Sequence, residues 1–349
     1  MQLWFGEFLH GTLELCFRYW KELVDSGGVP PAFPWPCTPR PWRQDAPEWA
    51  LSDIGRFADL VESSLSQQGK QARSTAARES AYNRIELAVN ELGPHLFELI
   101  DSAEKKVIGT RPVLPGATEL RCSNYEVHGV IDVLTHVTLD SVDNQNMIRR
   151  RVTERCPDLR GVYEVIVDYK GMRRPRTDER YWDEGDWQVQ TYAWLRGRQP
   201  EAMPVAAGIL IYINELTPGD AEMSSLKRGI VNRTTDVLPE PDSEDEQLIR
   251  LWQPGNRANQ LSLQFRLSRA IRVIPIGGPS TDNALTQFDT VVRLIEENII
   301  SEASDGNILR AWSPDCQSEE TCVACDFRNF CPRPAGKAPN YVVSAPLAP

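Results

Sequence analysis

Residues 2 to 25 set Leu3, Phe5, Phe8, Leu9, Leu13, Phe17, Trp20 and Val24 mostly three or four positions apart, the period of a helix with one buried face. The spacing predicts an amphipathic first helix. The next stretch, 27 to 47, carries seven prolines in 21 residues; these fix φ and remove amide donors, so it reads as an irregular connector. Ser52 is placed to cap a helix to about Gln68, and RESAYNRIELAVNELGPHLFELIDSAEKKV predicts a long helix, or a helix pair broken near Gly93-Pro94. The period then changes. ELRCSNYEVHGVIDVLTHV (119 to 137) alternates and VYEVIVDYK (162 to 170) is rich in β-branched residues, which predicts neighbouring strands. WQVQTYAWLR (187 to 196) returns to a helical pattern, VAAGILIYINEL (205 to 216) reads as a buried strand, and further helices are expected over 244 to 272 and 281 to 303.

That order predicts an α/β fold whose central mixed sheet is flanked by helices. Its expected divisions are a helix (1–26), a connector (27–47), a helical subdomain (48–111), a core (112–216), a helical C-terminal part (217–311), a cysteine segment (312–333) and a proline-rich tail (334–349) expected to be disordered.

Composition narrows the classes. Of 349 residues 41% are hydrophobic and 25% charged, and no run approaches the roughly 20 apolar residues of a membrane span, so no membrane association is expected. Glu7, His10 and Glu14 interrupt the first apolar pattern, which is not that of a signal peptide; a cytoplasmic location is the expectation. A net charge of -11 argues against coating of nucleic acid by the whole surface and leaves room only for a local basic or metal-bridged site. Arg149 to Arg151, and Arg173, Arg174 and Arg176, are the basic candidates.

Strand alternation puts Glu164, Ile166, Asp168 and Lys170 on one face, so a carboxylate and an ammonium lie side by side. Asp132 stands in an otherwise apolar stretch, where an unpaired carboxylate is costly unless a cation or donor meets it. Gln188 and Tyr192, four apart, share a helical face. Taken singly, each has an ordinary reading: a salt bridge for Asp168 and Lys170, a turn-end acid for Asp132, a satisfied helical histidine for His10, a packing pair for Gln188 and Tyr192.

Jointly, GxxxHxxLE (Gly6, His10, Leu13, Glu14), GVID (Gly129 to Asp132), VDYK (Val167 to Lys170) and QxxxY (Gln188, Tyr192) occur in one order over residues 2 to 216. This order resembles the RecB-like branch of the PD-(D/E)XK nuclease superfamily. The resemblance implies a restriction-endonuclease-like sheet and a metal site of His10, Asp132 and Asp168. It also implies that Lys170 orients or activates the attacking water, with Gln188 and Tyr192 assisting the lysine and the DNA. Such carboxylates suit Mg²⁺ or Mn²⁺, and the imidazole tilts the preference towards Mn²⁺.

Eight cysteines are more naturally metal or redox ligands than a disulfide framework here. Cys316, Cys322, Cys325 and Cys331 fall within 16 residues. The Cys-x2-Cys-x5-Cys end resembles the C-terminal iron-sulfur staple of RecB-family nucleases such as AddB and the CRISPR adaptation nucleases, which implies a 4Fe-4S cluster; Zn²⁺ is the alternative. That family takes its fourth cysteine from upstream of the histidine helix, so the fourth ligand stays open between Cys316, Cys16 and a residue outside this chain. Cys37, Cys122 and Cys156 read as structural thiols.

No Walker A, HExxH, GxSxG or dinucleotide pattern occurs. The expectation is a metal-dependent single-strand DNA exonuclease of DNA repair or CRISPR adaptation, with DNA bearing free ends as substrate and a helicase or CRISPR adaptation proteins as partners. The alternative is a non-catalytic DNA-binding or helicase-partner subunit that keeps the same fold and cluster.

Overall fold

The computed structural model describes residues 2–38, 52–115, 121–138, 145–256, 261–306, 308–312, 316, 319–325, 328 and 331. The tail after 331 and the second half of the proline-rich stretch lie outside the described residues. The protein is mixed α/β, with a five-stranded mixed sheet in the order β1-β2-β3-β4-β5. Its strands are β1 (Ile100–Pro112), β2 (Asn124–Thr138), β3 (Val162–Lys170), β4 (Val205–Tyr212) and β5 (Ile271–Pro275). β2 and β3 are antiparallel, β3 and β4 parallel, and β4 and β5 antiparallel. Parallel neighbours need a crossover, and helix α5 (Arg180–Arg196) supplies it between β3 and β4.

The first helix, α1 (Gln2–Asp25), buries Phe8, Leu9, Leu13, Cys16 and Phe17, the stripe its spacing predicts. It packs with α2 (Ile54–Gln67) and α3 (Thr75–Leu96) into one apolar core with Val165, Val167 and Tyr169 of β3. Asp53 caps α2 by accepting from the Gly55 amide at 2.9 Å, and Ser74 caps α3 through the Ala77 amide at 3.2 Å. The opposite face of the sheet packs Leu210, Tyr212 and Ile274 against Val189 of α5. A Cβ at Gly208 would stand 2.5 Å from that of Val189, so only glycine lets α5 lie this close to β4.

Four sequence expectations change. Gly93-Pro94 does not break α3, which runs on to Leu96; the one ladder bond that Pro94 cannot make falls where the helix is already ending. IDSAEKKV is strand β1, so 48–111 is not a helical subdomain: its helices belong to the main core and its end enters the sheet. The region 217–311 is not wholly helical, since β5 follows α8 (Leu263–Ala270), and the first of its two expected helices is instead α7 (Glu244–Leu251) and α8. An additional helix, α6 (Asp220–Asn232), packs with α7 and α8 around Met223, Leu226, Trp252 and Phe265. The core sheet also extends beyond 112–216 at both ends.

The chain forms two compact units rather than a linear series. The first comprises residues 1–109 and 128–281; the second comprises 110–127 and 282–349. In the second, helix α9 (Gly278–Asp305) ties down the ends of β1 and β2 through ion pairs of Asp289 with Arg111 and of Glu296 with Arg121, while Tyr125 donates to Asp289 at 2.6 Å. Among the described residues no helix is long and apolar enough to cross a membrane.

Candidate functional site

The β2–β3 ladder runs from Thr138↔Val162 to Val133↔Val167. At its end the Asp132 side chain takes over from the backbone, its Oδ2 accepting from the Tyr169 amide at 2.9 Å. Helix α1 brings His10 to the same point, with Nδ1 3.3 Å from Asp132 Oδ2 and Nε2 2.9 Å from the Tyr169 carbonyl oxygen. Both ring nitrogens thus face acceptors. Burial alone would lower the His10 pKa, but the Asp132 hydrogen bond and charge, with the Asp168 charge, outweigh it and raise it to about 9.

On β3, Asp168 is 3% exposed, and burial, then the Asp132 charge, raises its pKa. Its Oδ1 accepts from Gln188 Nε2 at 3.0 Å. Its Oδ2 lies 2.5 Å from Lys170 Nζ, an ion pair that holds the two side chains of one strand face together. Lys170 Nζ also donates to Gln188 Oε1 at 2.6 Å, and Gln188 Nε2 reaches Tyr192 Oη at 3.1 Å. The Gln188 amide is therefore oriented by its neighbours: oxygen to the cation, nitrogen to the carboxylate. A Cβ at Gly129 would lie 2.9 Å from Tyr192 Cε1, which is why the strand carries glycine opposite this ring. The structure thus gathers two contact sets at the end of β3, His10 with Asp132 on the Tyr169 backbone, and Asp168 with Lys170, Gln188 and Tyr192, close enough for their charges to act on one another.

Glu104 joins them. Ligand atoms of His10, Glu104 and Asp132 lie within 4.8 Å of one another, and among the described residues this is the group of three His, Cys, Asp or Glu side chains so placed. A cavity of about 10 Å³, room for one water-sized particle, lies among these residues, Glu14 and Tyr169. Asp168 stands outside that group of three, engaged by Lys170 and Gln188. The His10 imidazole, the Glu104 and Asp132 carboxylates and the Tyr169 backbone carbonyl are ligand types that fit a hard or borderline divalent cation. Sequence reading missed Glu104 because it fell in a segment read as helix, between ordinary charged neighbours. Its backbone is left-handed, with φ 52°, an uncommon state for glutamate that turns it out of the simple alternation.

A pH effect follows for protein stripped of metal. The folded-state pKa of His10 is above its unfolded value of about 6.5, so its contribution to stability is complete below that value and is lost as pH rises through about 9. Thermal melts in EDTA should decline over this window in wild type, and His10→Gln should flatten the decline. An unchanged slope in the variant would contradict the His10–Asp132 pairing.

Several expected roles are not met. Arg173 pairs with Glu179 at 2.7 Å, Arg176 pairs with Asp178 and Glu179, and Arg174, 2% exposed, is held by Asp236; this run is folded inward and is not a basic patch. Arg150, Arg151 and Arg155 line a separate cavity of about 550 Å³, but Glu154, Asp236, Glu240 and Asp245 line it too. Cys16 is fully buried in the main apolar core and burial pushes its thiol pKa up, which makes it a poor thiolate ligand. The Cys325 amide donates to the Cys322 carbonyl at 3.3 Å in one tight turn, with Cys322 buried and Cys316 and Cys325 exposed. Among the described residues no group of three of these sulfurs lies within 4.8 Å of one another.

No known family model matches this chain, and no curated protein matches it.

Proposed function

We propose that this chain is a divalent-metal-dependent nuclease of the RecB-like PD-(D/E)XK type, hydrolysing phosphodiester bonds in single-stranded or free-ended DNA. One observation carries the reading: residues separated by up to about 180 positions, His10, Asp132, Asp168, Lys170 and Gln188, meet at the end of β3 in two adjoining contact sets. A structural salt bridge needs Asp168 and Lys170 alone. It does not need a second buried acid and a histidine beside them, because crowded carboxylates repel unless a cation joins them. The mixed sheet flanked by helices is compatible with the restriction-endonuclease-like arrangement that this reading implies.

His10, Glu104, Asp132, Asp168 and the Tyr169 carbonyl would hold one or two Mn²⁺ or Mg²⁺ ions. When bound, the metal supplies charge neutralisation at the scissile phosphate and lowers the cost of deprotonating water. Lys170 Nζ, fixed by Gln188, presents a donor to the attacking water and orients it. Tyr192 fixes the Gln188 amide from the far side, so the lysine keeps one position. Water adds to phosphorus and gives up one proton to solvent, the P–O bond to the leaving nucleotide breaks, and the leaving oxygen takes up a proton from solvent. No step is assigned to the cysteine segment; the pathway of DNA repair or CRISPR adaptation, and a helicase partner, are extensions of the resemblance.

The test is degradation of end-labelled single-stranded DNA in Mn²⁺, Mg²⁺ and EDTA. Release of short products in Mn²⁺, a lower rate in Mg²⁺ and none in EDTA is the expected result. Binding without cleavage in either metal would replace the proposal by the non-catalytic DNA-binding reading.

A further inference from the structure

His10, Glu14 and Arg18 follow one another at four-residue intervals along α1, so each is the neighbour of the next across one helical turn. His10 and Glu14 both line the small cavity beside Glu104 and Asp132. Side chains on a helix lean towards its N-terminus, and the Arg18 guanidinium accordingly reaches back to pair with the Glu14 carboxylate. It is near enough to the cavity for its charge to act on Glu104. The Arg18 side chain is nonetheless 64% exposed, so its guanidinium stands on the solvent side of Glu14 and is open to a ligand.

Two further cations come from β1. Ala103 and Glu104 of this strand line the same cavity as His10 and Glu14, and Lys105 and Lys106 follow them directly. Both lysines are exposed, and among the described residues no hydrogen bond or ion pair engages either ammonium. Successive side chains of a strand point to opposite faces, so one of the two lies on the face that carries α1. Other cations near the site are committed: Lys170 to Asp168 and Gln188, and Arg173, Arg174 and Arg176 to acids that fold them inward.

We propose that Arg18, Lys105 and Lys106 form a phosphate track at the rim of the metal pocket, holding the non-scissile phosphates of a single DNA strand next to the one that is cut. This inference rests on the nuclease reading. An exposed i,i+4 pair such as Arg18 with Glu14 is weakly held, so the guanidinium can turn to a phosphate, to which it donates two parallel hydrogen bonds. The two ammonium groups give up no ion pair when they meet one. With a net charge of -11 the surface as a whole repels DNA, and exposed cations at the mouth of a metal site then fix where a strand approaches.

The experiment uses labelled oligothymidylate, in cleavage with Mn²⁺ and in binding with EDTA across a KCl series. It compares wild type with Arg18→Gln, Arg18→Lys, the double variant Lys105→Gln with Lys106→Gln, and Arg250→Gln, which removes one exposed charge from α7. For Arg18→Gln, KM should rise about 10-fold with kcat within about twofold, the pattern of lost binding beside the chemistry. The slope of log affinity against log salt should fall by about 0.7, one phosphate contact on a single strand. Arg18→Lys should keep that slope and recover part of the affinity, since it retains the charge without the fork. The double lysine variant should lower the slope by about 0.7 to 1.4 and raise KM, whereas Arg250→Gln should change neither. Melting temperatures should stay level, because these side chains are exposed. Unchanged KM and salt slope in the active Arg18 or double lysine variant would overturn the track. An equal effect from Arg250→Gln would also overturn it, by reducing the result to overall charge, and so would a fall in kcat at constant KM, which would mark an effect through Glu14 on the metal pocket. A wild type that neither binds nor cleaves would overturn the nuclease reading and this inference with it, an outcome distinct from active variants with unaltered binding.

Discussion

Replacing Asp168 by asparagine is expected to reduce metal-dependent cleavage by at least about 1,000-fold while leaving the protein folded. The carboxylate has three duties. Its charge sets the field beside Asp132, its Oδ2 pairs with Lys170 Nζ, and its Oδ1 anchors Gln188, which in turn fixes Lys170. Asparagine keeps the shape and can still face Gln188, but it removes a negative charge that would help to hold a divalent ion. Stability should change little, because the substitution relieves the crowding of two acids at the same time as it deprives Lys170 of one of its two contacts. The check is single-turnover cleavage of labelled single-stranded DNA beside a thermal melt. Cleavage within about tenfold of wild type would remove Asp168 from the chemistry and leave the network a structural ion pair.

Arg174→Ala should destabilise the fold by about 3 to 5 kcal/mol, the range for breaking a buried ion pair by removing one partner. Arg174 donates through Nε to Asp236 Oδ1 at 2.9 Å and through Nη1 to the Arg269 carbonyl at 2.8 Å, while its own amide donates to Glu215 Oε1 at 2.8 Å. Glu215 also accepts from Arg269 Nε at 3.0 Å. The guanidinium packs beside the rings of Trp182 and Tyr212, 5.9 and 5.8 Å from their centroids. Alanine would leave the part-buried Asp236 with only the looser Arg155 contact at 4.0 Å, and would open space beside two aromatic rings. Urea unfolding measures the loss. The double replacement Arg174→Met with Asp236→Leu should cost less than Arg174→Ala alone, since it removes both charges. A loss below about 1 kcal/mol for Arg174→Ala would mean that solvent reaches this network. DNA affinity of the folded variant should not follow the loss of charge, because Arg174 faces the interior and not a ligand.

Arg174 also shows where sequence reading stops. Arg173, Arg174 and Arg176 form a basic run one residue past Gly171, and from sequence alone they are a natural phosphate-binding patch. Their partners Glu179, Glu215 and Asp236 come from α5's entry, the end of β4 and the loop after α6, so their neutralisation is a tertiary fact.

Elements with strong local periodicity were legible. α1, β3, β4 and α5 stand where their spacing placed them, since a buried helix stripe or an apolar strand leaves a signal within ten residues. β1 and β5 were not legible. The first is a charged strand at the edge of the sheet, with its apolar positions sparse, and the second is five residues long and runs on directly from a helix. In β1 charged residues interrupt the apolar positions and mask the period, whereas β5 is too short to show one.

For the site, the sequence by itself determined which residue types were available: an acid two positions before a lysine on one strand face, an acid in an apolar strand, a histidine within an amphipathic helix. Alternation with period two fixes the first of these locally, because no tertiary contact is needed to put Asp168 and Lys170 on the same face. The tertiary structure alone decided which of them meet. It ended the β2–β3 ladder at Val133, so that Asp132 turns its carboxylate to Tyr169. It packed α1 so that His10 reaches that carboxylate, and turned Glu104 into the same space through a left-handed backbone. Those placements depend on contacts between residues far apart in the chain, and a period read along ten or twenty positions carries no information about them.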